Sequence, residues 1–234
     1  MELKQQICSF ENFQYAAFFP EDFSAEDPCP LFIFMHGRGT RGTDINEHLR
    51  LSAFFRPDNA WRNNRWLVCA PQCFGDSWFD IMEQTYRLVD HLRHLPGVDP
   101  SRVYLMGNSM GGYGVWQLAM SRPDWFAAIV PICGGGMYWN AARLRDIGVW
   151  AFHGALDQAV LCRESEKMVE CAVKAGCSAR LTIYPNYQHD SWSDTYRNQQ
   201  VCDWLLAHKR RMPEAAPAKE QDGKIDADFA KTFG

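Results

Sequence analysis

The residue types that could do chemistry in this chain centre on one serine. Gly107-Asn108-Ser109-Met110-Gly111 follows the apolar run Val103-Tyr104-Leu105-Met106 and precedes a helical stretch. That is the setting in which a G-x-S-x-G pentapeptide forms a nucleophile elbow. The turn forces the serine into a strained backbone region, and the glycines remove side chains that would clash. The Ser109 hydroxyl is then lifted to the N-terminal end of a helix, where the dipole favours a developing oxyanion. A serine of this kind needs a base and an acid that orients the base. Seven histidines are available. His36, His48, His91 and His94 precede the serine, His153 ends a strand, and His208 sits among Lys209, Arg210 and Arg211. His189 lies in the loop Pro185–Trp192, after the last strand and before the last helix, and is the expected base. Asp157, just beyond the strand Val149–His153, is the expected acid. Asp190, Asp194 and Glu164 stand as rivals. For the oxyanion, one backbone N–H should come from Met110 and a second from His36-Gly37-Arg38-Gly39, with the Arg38 amide the expected donor.

These groups need a scaffold that brings distant loops together. Strands are expected over Gln14–Phe19, Leu31–His36, Trp66–Ala70, Arg102–Gly107, Ala127–Cys133, Val149–His153 and Arg180–Tyr184. Most are almost wholly apolar, as in a parallel sheet covered on both faces. Helices are expected over Phe79–Leu95, which carries Met82, Tyr86, Val89 and Leu92 and stops at Pro96-Gly97, and over Gly111–Ser121, Cys162–Ala175 and Thr195–Arg211. This alternation predicts an α/β fold with a mostly parallel central sheet. In such sheets the carboxyl ends of the strands share one rim where ligands collect, which places Ser109 and Asp157 together. The polar stretch 37–65 is long for a connection and should hold a short helix and a functional loop. The expected organisation is one domain over 1–212, with a polar tail over 213–234 that is rich in Pro, Ala and charge.

The bulk numbers are compatible with this. The chain has 234 residues, 47% hydrophobic and 22% charged, with a formal net charge of -4. That excludes a fibrous or wholly disordered chain and argues against nucleic acid as a partner. There is no transmembrane run, and Met1–Gln6 lacks an apolar segment, so a cytoplasmic location is expected. The nine cysteines include no C-x-x-C pair; Cys69 and Cys73 have no nearby histidine to complete a zinc site. Reduced thiols, no metal and no cofactor are expected.

Several separate motifs, in order from about residue 30 to 211, carry a family resemblance. They are His36-Gly37-Arg38-Gly39-Thr40-Arg41-Gly42-Thr43-Asp44, Ala70-Pro71-Gln72-Cys73 with Trp78, Gly107–Gly114, Val130–Gly136, Trp150–Gly154 with Asp157, and His189-Asp190-Ser191-Trp192. The sequence resembles the α/β-hydrolases of the small esterase and prolyl-oligopeptidase-like branch, which includes phospholipase/carboxylesterase relatives. The resemblance implies an α/β-hydrolase fold and the triad Ser109, Asp157 and His189. Arg38 departs from the small residue usual in the family at that position. Its side chain could narrow the pocket or attract an anionic group. The expected activity is hydrolysis of short-chain, aryl or carbohydrate esters. A small-substrate peptidase or thioesterase is the alternative within enzymes, and a non-catalytic binding protein of the same fold is the alternative outside them. Gln72, Trp78 and Trp192 are the expected substrate-binding residues. The expected partner is a small ester, and the sequence leaves the oligomeric state open.

Overall fold

A computed structural model describes residues 3–211; the expected tail from 213 lies outside them. Eight strands form one sheet: β1 (Leu3–Phe10), β2 (Phe13–Pro20), β3 (Cys29–Met35), β4 (Leu67–Pro71), β5 (Val98–Asn108), β6 (Ala128–Ile132), β7 (Gly148–Gly154) and β8 (Ala179–Tyr184). Their spatial order is β1-β2-β4-β3-β5-β6-β7-β8. β1 and β2 pair antiparallel, and β2 is antiparallel to β4. From β4 through β8 every neighbouring pair is parallel. The expected mostly parallel sheet is therefore present.

The central strands are buried on both faces, which explains their unbroken apolar runs. Along β3, Leu31, Ile33 and Met35 enter one core while Phe32 and Phe34 enter the other. The first core is closed by α2 (Met82–Arg93), α3 (Met110–Ser121) and α4 (Arg163–Lys174). In α2 the buried residues Thr85, Leu88, Val89 and Leu92 recur at helical spacing, so one stripe faces the sheet. The second core is closed by α1 (Ile45–Leu51), short 3-10 turns carrying Phe54 and Trp61, and the pair α5 (Trp192–Arg197) and α6 (Gln199–Leu206). Helices thus cover both faces. No helix among the described residues is long and apolar enough to cross a membrane.

Two expectations change. β1 was not expected, because its residues are mostly exposed and polar; as an edge strand it pairs on one side only. It joins β2 through a turn at Glu11 and Asn12, with Glu11 at φ 50°. The single helix expected over Thr195–Arg211 is instead two. Asn198 interrupts it at φ -79°, ψ 103°, and its side chain accepts from the Gln200 N–H to cap α6. His208 is half-buried, with its ring 4.4 Å from that of Trp204 at a tilt of 56°.

Candidate active site

Ser109 stands between β5 and α3 with φ 55° and ψ -120°, a left-handed conformation that is costly for a residue with a Cβ. The glycines around it permit the turn. A Cβ on Gly111 would sit 1.9 Å from the Met35 carbonyl oxygen, and one on Gly107 would sit 2.6 Å from the same atom. β3 can therefore pass directly against the elbow. The Ser109 N–H donates to the Ile132 carbonyl at 2.9 Å, tying the turn to β6.

Three side chains meet above the sheet. His189 Nδ1 lies 2.7 Å from Asp157 Oδ2, and His189 Nε2 lies 2.9 Å from Ser109 Oγ. An ionised carboxylate only accepts, so the Nδ1–H donates to Asp157 and Nε2 is left to accept from the serine hydroxyl. Burial alone would raise the Asp157 carboxyl. It is outweighed by the bond from His189 and by the Val160 and Ala159 N–H groups, which hold the carboxyl below its ordinary value. Both amides reach Oδ1 at 2.9 Å. His153 braces the same turn: Nε2 meets the Val160 carbonyl at 2.9 Å and Nδ1 meets Ser165 Oγ at 2.8 Å. Its Nε2 is also 3.3 Å from Asp157 Oδ2. The rival acids are engaged elsewhere. Asp190 accepts from the Ser193 N–H and hydroxyl, and Asp194 pairs with Arg197. Glu164 packs against the backbone at Gly135.

The cleft over Ser109 has a volume of about 740 Å³. It is lined from loops that follow β3, β5, β7 and β8, including Arg38, Arg56, Tyr113, Val160, His189 and Trp192. The Trp192 ring stands edge-on to His189 at 5.2 Å. Arg38 and Met110 each open a helical turn, so their N–H groups have no carbonyl partner within that turn, and both residues line the cleft.

Gln72 and Trp78 do not line this cleft, which corrects the expectation that they bind substrate. Both are buried beneath the loop after β3. Gln72 Nε2 donates to the Thr40 carbonyl at 2.5 Å, and Trp78 Nε1 donates to the His36 carbonyl at 2.9 Å. The Cys73 N–H donates to His36 Nε2 at 2.9 Å, and His36 Nδ1–H donates to the Gly37 carbonyl at 2.7 Å. These bonds fasten the loop that carries Arg38. An aromatic and an amide near a strand end fit either role, and spacing alone does not separate the two.

Other residues near the site escaped the sequence reading. Asn108 Oδ1 accepts from Tyr196 OH at 3.0 Å, linking the elbow to α5; its place inside the pentapeptide was the available signal. Arg56 lies in the stretch 37–65 already marked as functional, but nothing local singles it out. Cys133 follows β6 with φ 40° and is fully buried. Burial pushes its thiol up, so it is held neutral. Its sulfur and the nearest ligand atoms of Asp157 and His189 all lie within 4.8 Å of one another. No spacing in the sequence reveals that proximity.

Comparison with known proteins agrees with the architecture. A solved structure described as a thermostable esterase superposes with a TM-score of 0.72 at 28% identity, covering 89% of this chain and 63% of that one. Est1E from Butyrivibrio proteoclasticus shares the fold, with a TM-score of 0.65 at 15% identity, over 86% of this chain and 97% of that one. Dipeptidyl-peptidase 5 of Porphyromonas gingivalis is 23% identical over 226 residues, which is 73% of this chain and 32% of that protein. The chain spans about a third of the length of the curated relatives it matches first. The sequence profile of the dienelactone hydrolase family matches residues 76–215, a stretch containing the elbow, Asp157 and His189, and the chain therefore belongs to the dienelactone hydrolase family, with an α/β-hydrolase fold.

Proposed function

We propose that the protein is a serine hydrolase of small carboxylic esters acting through Ser109, His189 and Asp157. The observation that carries this reading is the continuous relay of 2.9 Å and 2.7 Å from the Ser109 hydroxyl to the Asp157 carboxylate, opening onto the cleft. His189 Nε2 takes the serine proton as Oγ attacks the ester carbonyl. Asp157 keeps the imidazole in the required tautomer and stabilises its charged form. The Arg38 and Met110 N–H groups receive the oxyanion. The protonated His189 gives its proton to the leaving alcohol. Water, activated by the same base, then releases the acid from the acyl-serine.

Short acyl, aryl or carbohydrate esters suit a cleft lined by loops, with Trp192 beside the base as a contact for the substrate. The test is turnover of p-nitrophenyl esters of increasing chain length by wild type and Ser109→Ala. Removing the hydroxyl should lower kcat by about four to six orders of magnitude with the fold intact. Wild-type activity should be greatest on short chains. Undiminished turnover by the variant would remove Ser109 as nucleophile.

A further inference from the structure

We propose that Cys133, Asp157 and His189 form a binding site for a thiophilic divalent cation, Zn²⁺ or Cd²⁺, and that filling it turns the serine relay off. The binding half stands on geometry alone. The inhibitory half rests on the reading of Ser109 as nucleophile.

The ligand atoms lie within 4.8 Å of one another. In a tetrahedral zinc site, with bonds of 2.0–2.3 Å, ligand atoms are about 3.3–3.8 Å apart. His189 Nδ1 and Asp157 Oδ2, 2.7 Å apart in their hydrogen bond, must part by about 0.6–1.1 Å to take the ion between them. The sulfur closes by up to about 1 Å as that pair opens, and both shifts are within the reach of side-chain rotation. The left-handed turn at Cys133, φ 40°, directs the chain out of β6 beside the relay. The His189 ring lines the cleft with 28% of its side chain exposed, whereas Cys133 and Asp157 are buried. The ion enters from the cleft, past the imidazole.

Charge favours this donor set. A thiolate and a carboxylate together cancel the two positive charges, so occupation buries no net charge. The donors are one sulfur, one nitrogen and one oxygen, a set that suits zinc and cadmium and is poor for magnesium or calcium, which need more oxygens. The step balances. The cation forms bonds to Cys133 Sγ, Asp157 Oδ2 and His189 Nδ1. The thiol proton leaves to solvent, and the imidazole proton moves from Nδ1 to Nε2 with no redox change. His189 then presents an N–H to Ser109 Oγ where it had presented a lone pair. A base in that tautomer cannot accept the serine proton.

The test titrates Cd²⁺ into wild type and Cys133→Ser, following the thiolate-to-cadmium absorption in the ultraviolet and p-nitrophenyl ester turnover. In wild type, a one-to-one absorption change and a loss of turnover should share one midpoint. EDTA should reverse both, and Mg²⁺ should cause neither. Measured against its own metal-free turnover, Cys133→Ser should need at least about tenfold more Cd²⁺ for half-inhibition, the smaller end of what even outer partners of a metal contribute. The half-exposed thiols Cys8, Cys162 and Cys171 offer competing binding. An unchanged midpoint in the variant would assign the metal to them and overturn the site. Binding lost in the variant but without effect on wild-type turnover overturns the switch. A wild type with no turnover before metal is added instead sinks the ester-hydrolase reading and leaves the absorption arm legible. Should the variant fail to fold, ring-nitrogen NMR of wild-type histidines decides. Cd²⁺ should shift the His189 Nδ1 signal to a metal-bound position with Nε2 protonated, and an unmoved Nδ1–H overturns the proposal.

Discussion

At the scale of single residues, the reading of Ser109 as nucleophile requires one proton to be on the correct nitrogen of His189. Asp157 achieves this by accepting from His189 Nδ1–H while its other oxygen is saturated by two backbone amides. An Asp157→Asn variant keeps the shape but can donate to Nδ1, which favours the opposite tautomer. Its kcat should fall by about 10⁴ with KM almost unchanged. Steady-state kinetics on one ester checks this, and an equal fall in binding would contradict it. Arg38 contributes its backbone to the same reading; its guanidinium forms no ion pair among the described residues, and Arg38 and Arg56 both line the cleft.

At the scale of elements, the loop after β3 is held by groups outside itself. Trp78, Gln72 and Cys73 each bond a backbone or ring atom between His36 and Thr40. Trp78→Phe removes the indole N–H and leaves the His36 carbonyl buried without its partner. Urea unfolding should show a loss of at least about 1–3 kcal/mol. If the loop supplies the Arg38 amide, kcat should also fall, by up to the 10²–10³ that a lost oxyanion donor costs, while KM holds. A stability loss with unchanged kcat would mean the loop keeps its position without this tie. The helical end of the chain teaches a similar lesson. The apolar spacing over 195–211 reads as one helix, but Asn198 caps a new one, because its side chain satisfies an amide that a continuing turn would otherwise pair.

For the whole molecule, acid stability should depend on two histidines buried beneath the site. Burial pushes His36 down to about 4 and His48 down to about 2, with the Gly37 carbonyl opposing the shift at His36 and the neighbouring His36 adding to it at His48. Their rings are 4.4 Å apart, and neither nitrogen of His48 has a hydrogen-bond partner among the described residues. Once unfolded, each histidine would bind a proton below its ordinary value of 6.5. The native state refuses that proton until much lower pH. Stability is therefore full above 6.5 and falls as pH drops toward 4, at about 1.4 kcal/mol per pH unit for each histidine. His48→Leu removes one of these terms and an unpaired polar group. Urea unfolding between pH 7 and 4.5 should show a more stable variant with a shallower slope, and an unchanged slope would refute the assignment. The Asp157 carboxyl adds a further loss below its ordinary value of 3.8, since its native form resists protonation.

The amino-acid sequence by itself determined the class of sheet, because strands buried on two faces must be apolar throughout, and it marked the elbow, because the glycine-flanked Ser109 falls between an apolar run and a helical stretch. It also ordered serine, acid and histidine along the chain. The sequence pointed to Asp157 with Asp190, Asp194 and Glu164 as rivals, and only tertiary structure set its carboxylate against His189, since the two are 32 residues apart and His189 is 80 residues from Ser109. Tertiary structure also assigned Gln72 and Trp78 to supporting a loop and set Cys133 beside the relay. Contacts of that kind arise where the ends of parallel strands converge in space, and no local pattern of side chains encodes a distance between loops.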